Sequence, residues 1–179
     1  MRILGIDPGY AITGFGLLDV SGSKLKMLDY GVLETHKGTP FEQRLLSISD
    51  GLDELIRSWQ PEVMAIEELF FSQNKTTALG TAQARGVVLA AAARGGMKAY
   101  EYTPAEVKKA VTGSGRAVKQ QVQLMVRTLL SLPQIPRPDD AADALAIAIC
   151  QALTGQLQSF EVYSGYQNAG SRDRGSGRG

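Results

Sequence analysis

The sequence predicts an α/β fold built on a mixed sheet. Short apolar runs that stop abruptly at a turn residue or a carboxylate mark buried strands. Between the later runs lie segments with apolar residues at helical spacing. The resulting order is βββαβαβααα, three early strands followed by strand–helix alternation.

The first strand is 2–6, Arg-Ile-Leu-Gly-Ile, closed by the turn signal Asp7-Pro8-Gly9. Residues 12–20 and 25–34 are two more strands, joined by a hairpin at Val20-Ser21-Gly22-Ser23, so the first three strands are expected to be antiparallel neighbours. A helix opens at 39–42, with Thr39 as N-cap, Pro40 in the first helical position and Glu42 completing a capping box. Its apolar stripe is Phe41, Leu45, Ile48, Leu52, Leu55, Ile56 and Trp59, and Pro61 ends it. Residues 63–66 form a buried strand that stops at Glu67.

Residues 74–94 form a helix rich in Ala and Gly, closed by Gly95-Gly96. Its small residues suit close packing on the sheet or against the same helix of a second subunit. A strand over 97–102 follows, then helices at 104–112 and 117–131, and a last helix from Asp139 to about Leu153. These elements fit one domain over 1–158, leaving a tail over 159–179. From Ser164 the tail is rich in Gly, Ser and Arg, lacks apolar content, and is expected to be disordered.

Composition excludes several classes. The single cysteine, Cys150, excludes an intramolecular disulfide framework and a cysteine-based zinc site. Absence of about 18 consecutive apolar residues excludes a transmembrane helix, and the run before Asp7 is too short for a secretory signal. A cytoplasmic location is the default. The formal net charge of +1 hides a segregation. Residues 1–74 hold 6 Lys/Arg against 11 Asp/Glu, net −5; residues 75–137 hold 10 against 2, net +8; residues 138–179 hold 3 against 5, net −2. The basic middle is either a set of solvated helix faces or a surface for a polyanion.

Four carboxylates stand out. Asp7 and Glu67 each terminate a buried strand. Either alone is an ordinary strand-end turn residue. If their strands are parallel neighbours, both project from the carboxyl edge, where open α/β sheets bind ligands. Asp143 is the only polar side chain in the apolar run 141–149, and a lone buried carboxylate is costly unless paired or metal-bound. Asp140 lies on the same helix face, about 4.5 Å away along the axis. Without a cation, one of these two should hold a proton. Asp139 and Asp140 have an alternative role as helix-start residues favoured by the dipole. A site of Asp and Glu alone suits a hard cation such as Mg²⁺ or Mn²⁺. Four carboxylates can hold two such ions for an in-line phosphoryl displacement, which makes a metal-dependent nuclease the leading expectation.

The same residues carry a resemblance. Gly5-Ile6-Asp7-Pro8-Gly9 followed by Thr13-Gly14, and Ala65-Ile66-Glu67 with Phe70, resemble the RuvC crossover junction endodeoxyribonucleases. So do Gln83-Ala84-Arg85-Gly86, Gln121-Val122-Gln123 with Met125-Val126-Arg127, and Asp140-Ala141-Ala142-Asp143-Ala144-Leu145. The blocks keep their order over roughly residues 2–153. The resemblance implies a ribonuclease H-like fold, a homodimer acting on four-way junction DNA, and two symmetric nicks made with Mg²⁺, two ions per subunit, Mn²⁺ being a substitute. It also implies the RuvA–RuvB branch-migration complex as partner, and Asp7, Glu67, Asp140 and Asp143 as metal-binding carboxylates.

Other positions follow from composition and resemblance together. Glu68 would point to the opposite face of the strand from Glu67. Phe70 and Phe71 are core residues or base-stacking residues, and the resemblance favours Phe70 for stacking. Lys108, Lys109, Arg116 and Lys119 surround Gly113-Ser114-Gly115 and suit phosphate contact. The resemblance favours Lys108 and Lys119, with Lys119 as a catalytic cation. Asn74, Lys75 and Arg85 are further DNA-contact candidates. Gly9 permits a positive φ or a close backbone approach, Thr13 and Gly14 are assigned no more than a hairpin role, and His36 is expected in solvent. Two rivals remain. Asp-x-Gly after a strand also occurs in actin-like ATPases and sugar kinases, which normally carry a duplicated domain that is absent here. A module that binds junctions without cutting would not need four carboxylates.

Overall fold

The computed structural model describes residues 1–69 and 75–155, with the backbone alone at 75–77. Within these residues the order is β1 (Arg2–Asp7), β2 (Ile12–Ser21), β3 (Lys24–Glu34), α1 (Phe41–Trp59), β4 (Val63–Glu67), α2 (Lys75–Arg94), β5 (Lys98–Tyr102), α3 (Pro104–Thr112), α4 (Lys119–Leu129) and α5 (Asp139–Thr154). The sheet runs β3-β2-β1-β4-β5. β1, β2 and β3 pair antiparallel, as the hairpin signal predicts; β1 with β4 and β4 with β5 pair parallel.

Helices cover both faces. On one face Leu4, Ile6, Leu17, Met64 and Ile66 meet Ile48 and Leu52 of α1 and Ala84, Val88 and Ala91 of α2. On the other, Ile3, Leu18 and Ala65 meet α3, α4 and the almost wholly buried α5. The alternation of β1 and β4 between these two clusters puts Ile3, Gly5 and Asp7, and likewise Ala65 and Glu67, on the α5 side. α2 packs Ala84, Ala91 and Ala92 within the subunit, while Gly86, Ala90 and Ala93 are exposed.

α5 is seated by glycines. A Cβ on Gly5 would run into the Ala144 carbonyl, one on Gly14 into the Asp140 carbonyl, and one on Gly16 would lie 2.8 Å from the Leu145 amide. The register pairs Gly5 with Gly16 and Asp7 with Gly14, so these glycines form one bare strip on β1 and β2. The hairpin role expected for Gly14 is thus too small: its missing side chain lets the start of α5 approach Asp7.

The caps differ from expectation at α1. The helix begins at Phe41, one residue late, and no side chain caps it; the Pro40 carbonyl takes the Gln43 and Arg44 amides instead. The capping box forms at α3, where Thr103 Oγ1 accepts from the Glu106 amide (3.2 Å) and the Glu106 carboxylate accepts from the Thr103 amide (2.8 Å). Gly96 ends α2 at a φ of 69°, which favours glycine. Among the described residues no helix is long and apolar enough to cross a membrane.

Candidate active site

Parallel pairing of β1 with β4 brings Asp7 and Glu67 to one edge of the sheet and onto one face. α5 crosses that face, and its first turns present Asp140 and Asp143. The glycine strip sets how near they come.

The turn that carries Asp7 is braced from several sides. Thr13, fully buried, donates its hydroxyl to the Gly9 carbonyl at 2.6 Å. Gly9 needs no positive φ; it faces the Ile12 carbonyl too closely to admit a Cβ. Arg44 of α1, also buried, donates to Thr35 Oγ1 (2.7 Å) and to the Tyr10 carbonyl (3.2 Å), and its guanidinium lies 4.8 Å from the Tyr10 ring centroid. Sequence reasoning missed Arg44. Its position on the helix gave no distinguishing signal, because an Arg beside an apolar stripe is usually solvated.

The electrostatics show a site built for positive charge. The Asp7 carboxyl is pushed up to about 7, first by burial and then by repulsion from Glu67, Asp143 and Asp140; Lys119 pulls the other way. Glu67 is raised by burial and by Asp143, against Lys108 and Lys119. Asp143 is raised by burial, with Asp140 and Asp139 adding and Lys119 opposing. Mutual repulsion among carboxylates taken out of water is the shared pattern, and bound cations reverse it.

Asp143 is not the sealed acid that its apolar neighbours suggest. Its side chain is 34% exposed and holds Lys119 Nζ at 2.9 Å. Lys119 also reaches Asp139 at 3.4 Å. Burial opposes the Lys119 charge, but the hydrogen bond and the charges of Asp143 and Asp139 outweigh it, and the ammonium is held above its ordinary range. Asp139 has a further ion pair with Arg137.

Glu67, Asp143, Lys108 and Lys119 form the polar side of a cleft of about 290 Å³, and Val107 and Val122 are on its apolar side. Lys109 and Arg116 are exposed and lie outside this cleft. Arg85 is far from solvent, with a side chain only 15% exposed and an ion pair to Glu101 of β5. Its guanidinium braces α2 against the sheet edge through that ion pair. Phe70, Phe71, Asn74 and the tail over 159–179 lie outside the described residues, as does the side chain of Lys75. His36 is exposed, as expected, and Cys150 is buried in α5, its thiol pushed up to about 11 by burial.

The donor set fits a hard cation. The four acids offer oxygen only. Among the described residues no group of three or more Asp, Glu, His or Cys side chains forms a ready-made metal cage.

A family model described as crossover junction endodeoxyribonuclease RuvC matches residues 3–151. Among curated relatives, the RuvC of Desulfitobacterium hafniense is 56% identical over 157 residues, 88% of this chain and 95% of its own length. That of Desulforamulus reducens is 53% identical over 152 residues, 85% and 93%. Among solved structures, T. thermophilus RuvC in complex with a Holliday junction substrate superposes with a TM-score of 0.83 at 38% identity, covering 87% of this chain and 95% of that one.

Proposed function

The chain belongs to the RuvC family of crossover junction endodeoxyribonucleases, and on that basis we propose that it resolves four-way DNA junctions by paired, symmetric nicks. The observation that carries the reading is the meeting of Asp7 and Glu67, at the ends of parallel strands, with Asp140 and Asp143 on α5, beside Lys119. The T. thermophilus relative bound to a Holliday junction supports the substrate class.

We assign Asp7, Glu67, Asp140 and Asp143 to two Mg²⁺ ions per subunit, with Mn²⁺ as a substitute. Bound ions would supply Lewis-acid activation of water and stabilisation of the leaving oxygen. The protein's part is to hold four carboxylates on rigid elements. Asp7 and Glu67 end strands and Asp140 lies in the first turn of α5, with the turn after Asp7 braced by Thr13 and Arg44; the fourth, Asp143, lies on the next turn. Lys108 and Lys119, on the rim of the cleft, meet the charge of the scissile phosphate and neutralise part of what develops on it. Phe70 follows the Glu67 strand in sequence and is assigned to base stacking near the cut. Lys109, Arg116, Asn74 and Lys75 are assigned to the DNA backbone.

The nuclease unit is taken as 1–158. A homodimer supplies two such sites for two symmetric nicks, working with the RuvA–RuvB complex in the cytoplasm. Cleavage of synthetic four-way junctions against linear duplex, with and without Mg²⁺, tests the reading. Selective, Mg²⁺-dependent cutting is expected. Equal cutting of linear duplex, or cutting in EDTA, would refute it.

A further inference from the structure

Lys119 is held by two carboxylates that belong to different sets. Asp143 Oδ2 lies 2.9 Å from its Nζ and Asp139 Oδ2 lies 3.4 Å away. Asp143 is one of the four acids assigned to the divalent cation. Asp139 is outside that set, and its second partner is the Arg137 guanidinium. The two acids are four residues apart on α5, one turn along the same face. Lys119, the first residue of α4, stands across from both. Gln123, one turn further along α4 and buried, lies beside Asp139, with its amide nitrogen making no regular hydrogen bond.

An ammonium and a divalent cation compete for Asp143. A cation on that carboxylate both claims its oxygens and repels Lys119. The ammonium must then leave, and a lysine released into water would lose its place at the cleft. Asp139 prevents that, because it already shares the ammonium.

We propose that Asp139 is a positioning residue, which keeps Lys119 at the rim of the cleft when a divalent cation takes Asp143. In the metal-free protein Lys119 is the cation of the site. On metal binding its contact passes from Asp143 to Asp139, one helical turn toward the start of α5. Arg137 holds the other oxygen of the Asp139 carboxylate, Oδ1, so the acceptor stays where it is during the exchange. The inference rests on the assignment of Asp143 as a metal ligand.

Calorimetric titration of the full chain with Mg²⁺, without DNA, tests it. Lys119→Met removes the competitor and is expected to tighten Mg²⁺ binding by up to about fivefold, the scale of a half-exposed ion pair. Asp139→Asn leaves Lys119 nowhere else to go and is expected to weaken binding by about threefold. The double variant should match Lys119→Met alone, and Asp139→Glu should restore the wild-type affinity. With saturating Mg²⁺, Asp139→Asn should lower the junction-cleavage kcat while leaving KM for the junction near wild type. An equal loss of Mg²⁺ affinity from Asp139→Asn with and without Lys119 would mean a plain field effect and overturn the proposal. So would unchanged affinity in Lys119→Met. If Asp143→Asn binds Mg²⁺ as wild type does, the metal-site assignment itself is at fault.

Discussion

Asp7→Asn should stabilise the metal-free protein at pH 8 and do so much less at pH 5. The Asp7 carboxyl is pushed from 3.8 up to about 7 in the fold. In the unfolded chain it ionises near its ordinary value. Between these two values the folded protein holds the extra proton, so stability falls as pH rises through the window and the full cost is present above about 7. Each unit is worth about 1.4 kcal/mol, so at pH 8 the ionised Asp7 costs about 4 kcal/mol. At pH 5 the cost is only about 1.6 kcal/mol, because the folded group is still protonated. The gain from Asn should therefore be larger by about 3 kcal/mol at pH 8 than at pH 5. For a chain of this size that is a difference of roughly 6–12 °C in Tm. Thermal unfolding in EDTA at the two pH values measures it. Added Mg²⁺ should raise the wild-type Tm at pH 8 and leave that of the variant nearly unchanged. A gain of equal size at both pH values would show that the fold does not charge Asp7 for its ionisation. Asp7→Asn that still responds to Mg²⁺ like wild type would remove it from the metal site.

Three further outcomes follow from the packing. Gly16→Val forces α5 off the sheet; unfolding in urea should show a loss of at least about 1–3 kcal/mol, and Mg²⁺-dependent cleavage should fall with it. Arg44→Met keeps the volume but removes two donors from Thr35 Oγ1 and the Tyr10 carbonyl; a loss of about 1–3 kcal/mol is expected, together with faster amide exchange over residues 8–12. Tyr102→Phe breaks the buried 2.6 Å bond from the Tyr102 hydroxyl to Gln151 Oε1 and should cost about 1–3 kcal/mol by leaving that amide oxygen unpaired, with cleavage per folded molecule unchanged.

The strands and helices were legible because each carries a local signal. Burial alternation, apolar stripes and Gly or Pro punctuation place most boundaries within a residue or two. Asp143 was legible for a different reason, as the one polar side chain in an apolar run, whereas Asp7 and Glu67 are ordinary strand-end residues singly and stand out only as a pair. What sequence could not supply was distance. Thr39 offered a sound capping box by spacing, yet α1 begins on the Pro40 carbonyl while the box forms at Thr103 and Glu106. Gly5, Gly14 and Gly16 looked like turn and strand glycines. Only the register of β1 with β2 shows that they form one strip under α5. Arg44 and Thr35 are nine positions apart with no motif between them, and they meet because the turn after Asp7 folds over both.

The basic middle segment is the sharpest case of charge along a chain failing to map onto a surface. Its net +8 suggested a face turned toward phosphates. In the fold, Arg85 is bound to Glu101, Arg94 to Asp53, Arg137 to Asp139, and Lys119 to Asp143 and Asp139. Apart from Glu101, which lies within the middle itself, the acidic flanks supply these partners. Lys119 and Lys108 are the ones that line the cleft beside the carboxylates. Of the two, Lys119 pairs with both Asp143 and Asp139, and under the exchange proposed above a divalent cation on Asp143 would leave it paired with Asp139 alone. Phosphate affinity in the cleft should therefore rise with metal occupancy by more than the charge of the metal alone, since an ion that binds Asp143 would also end one of the two ion pairs that offset the Lys119 charge.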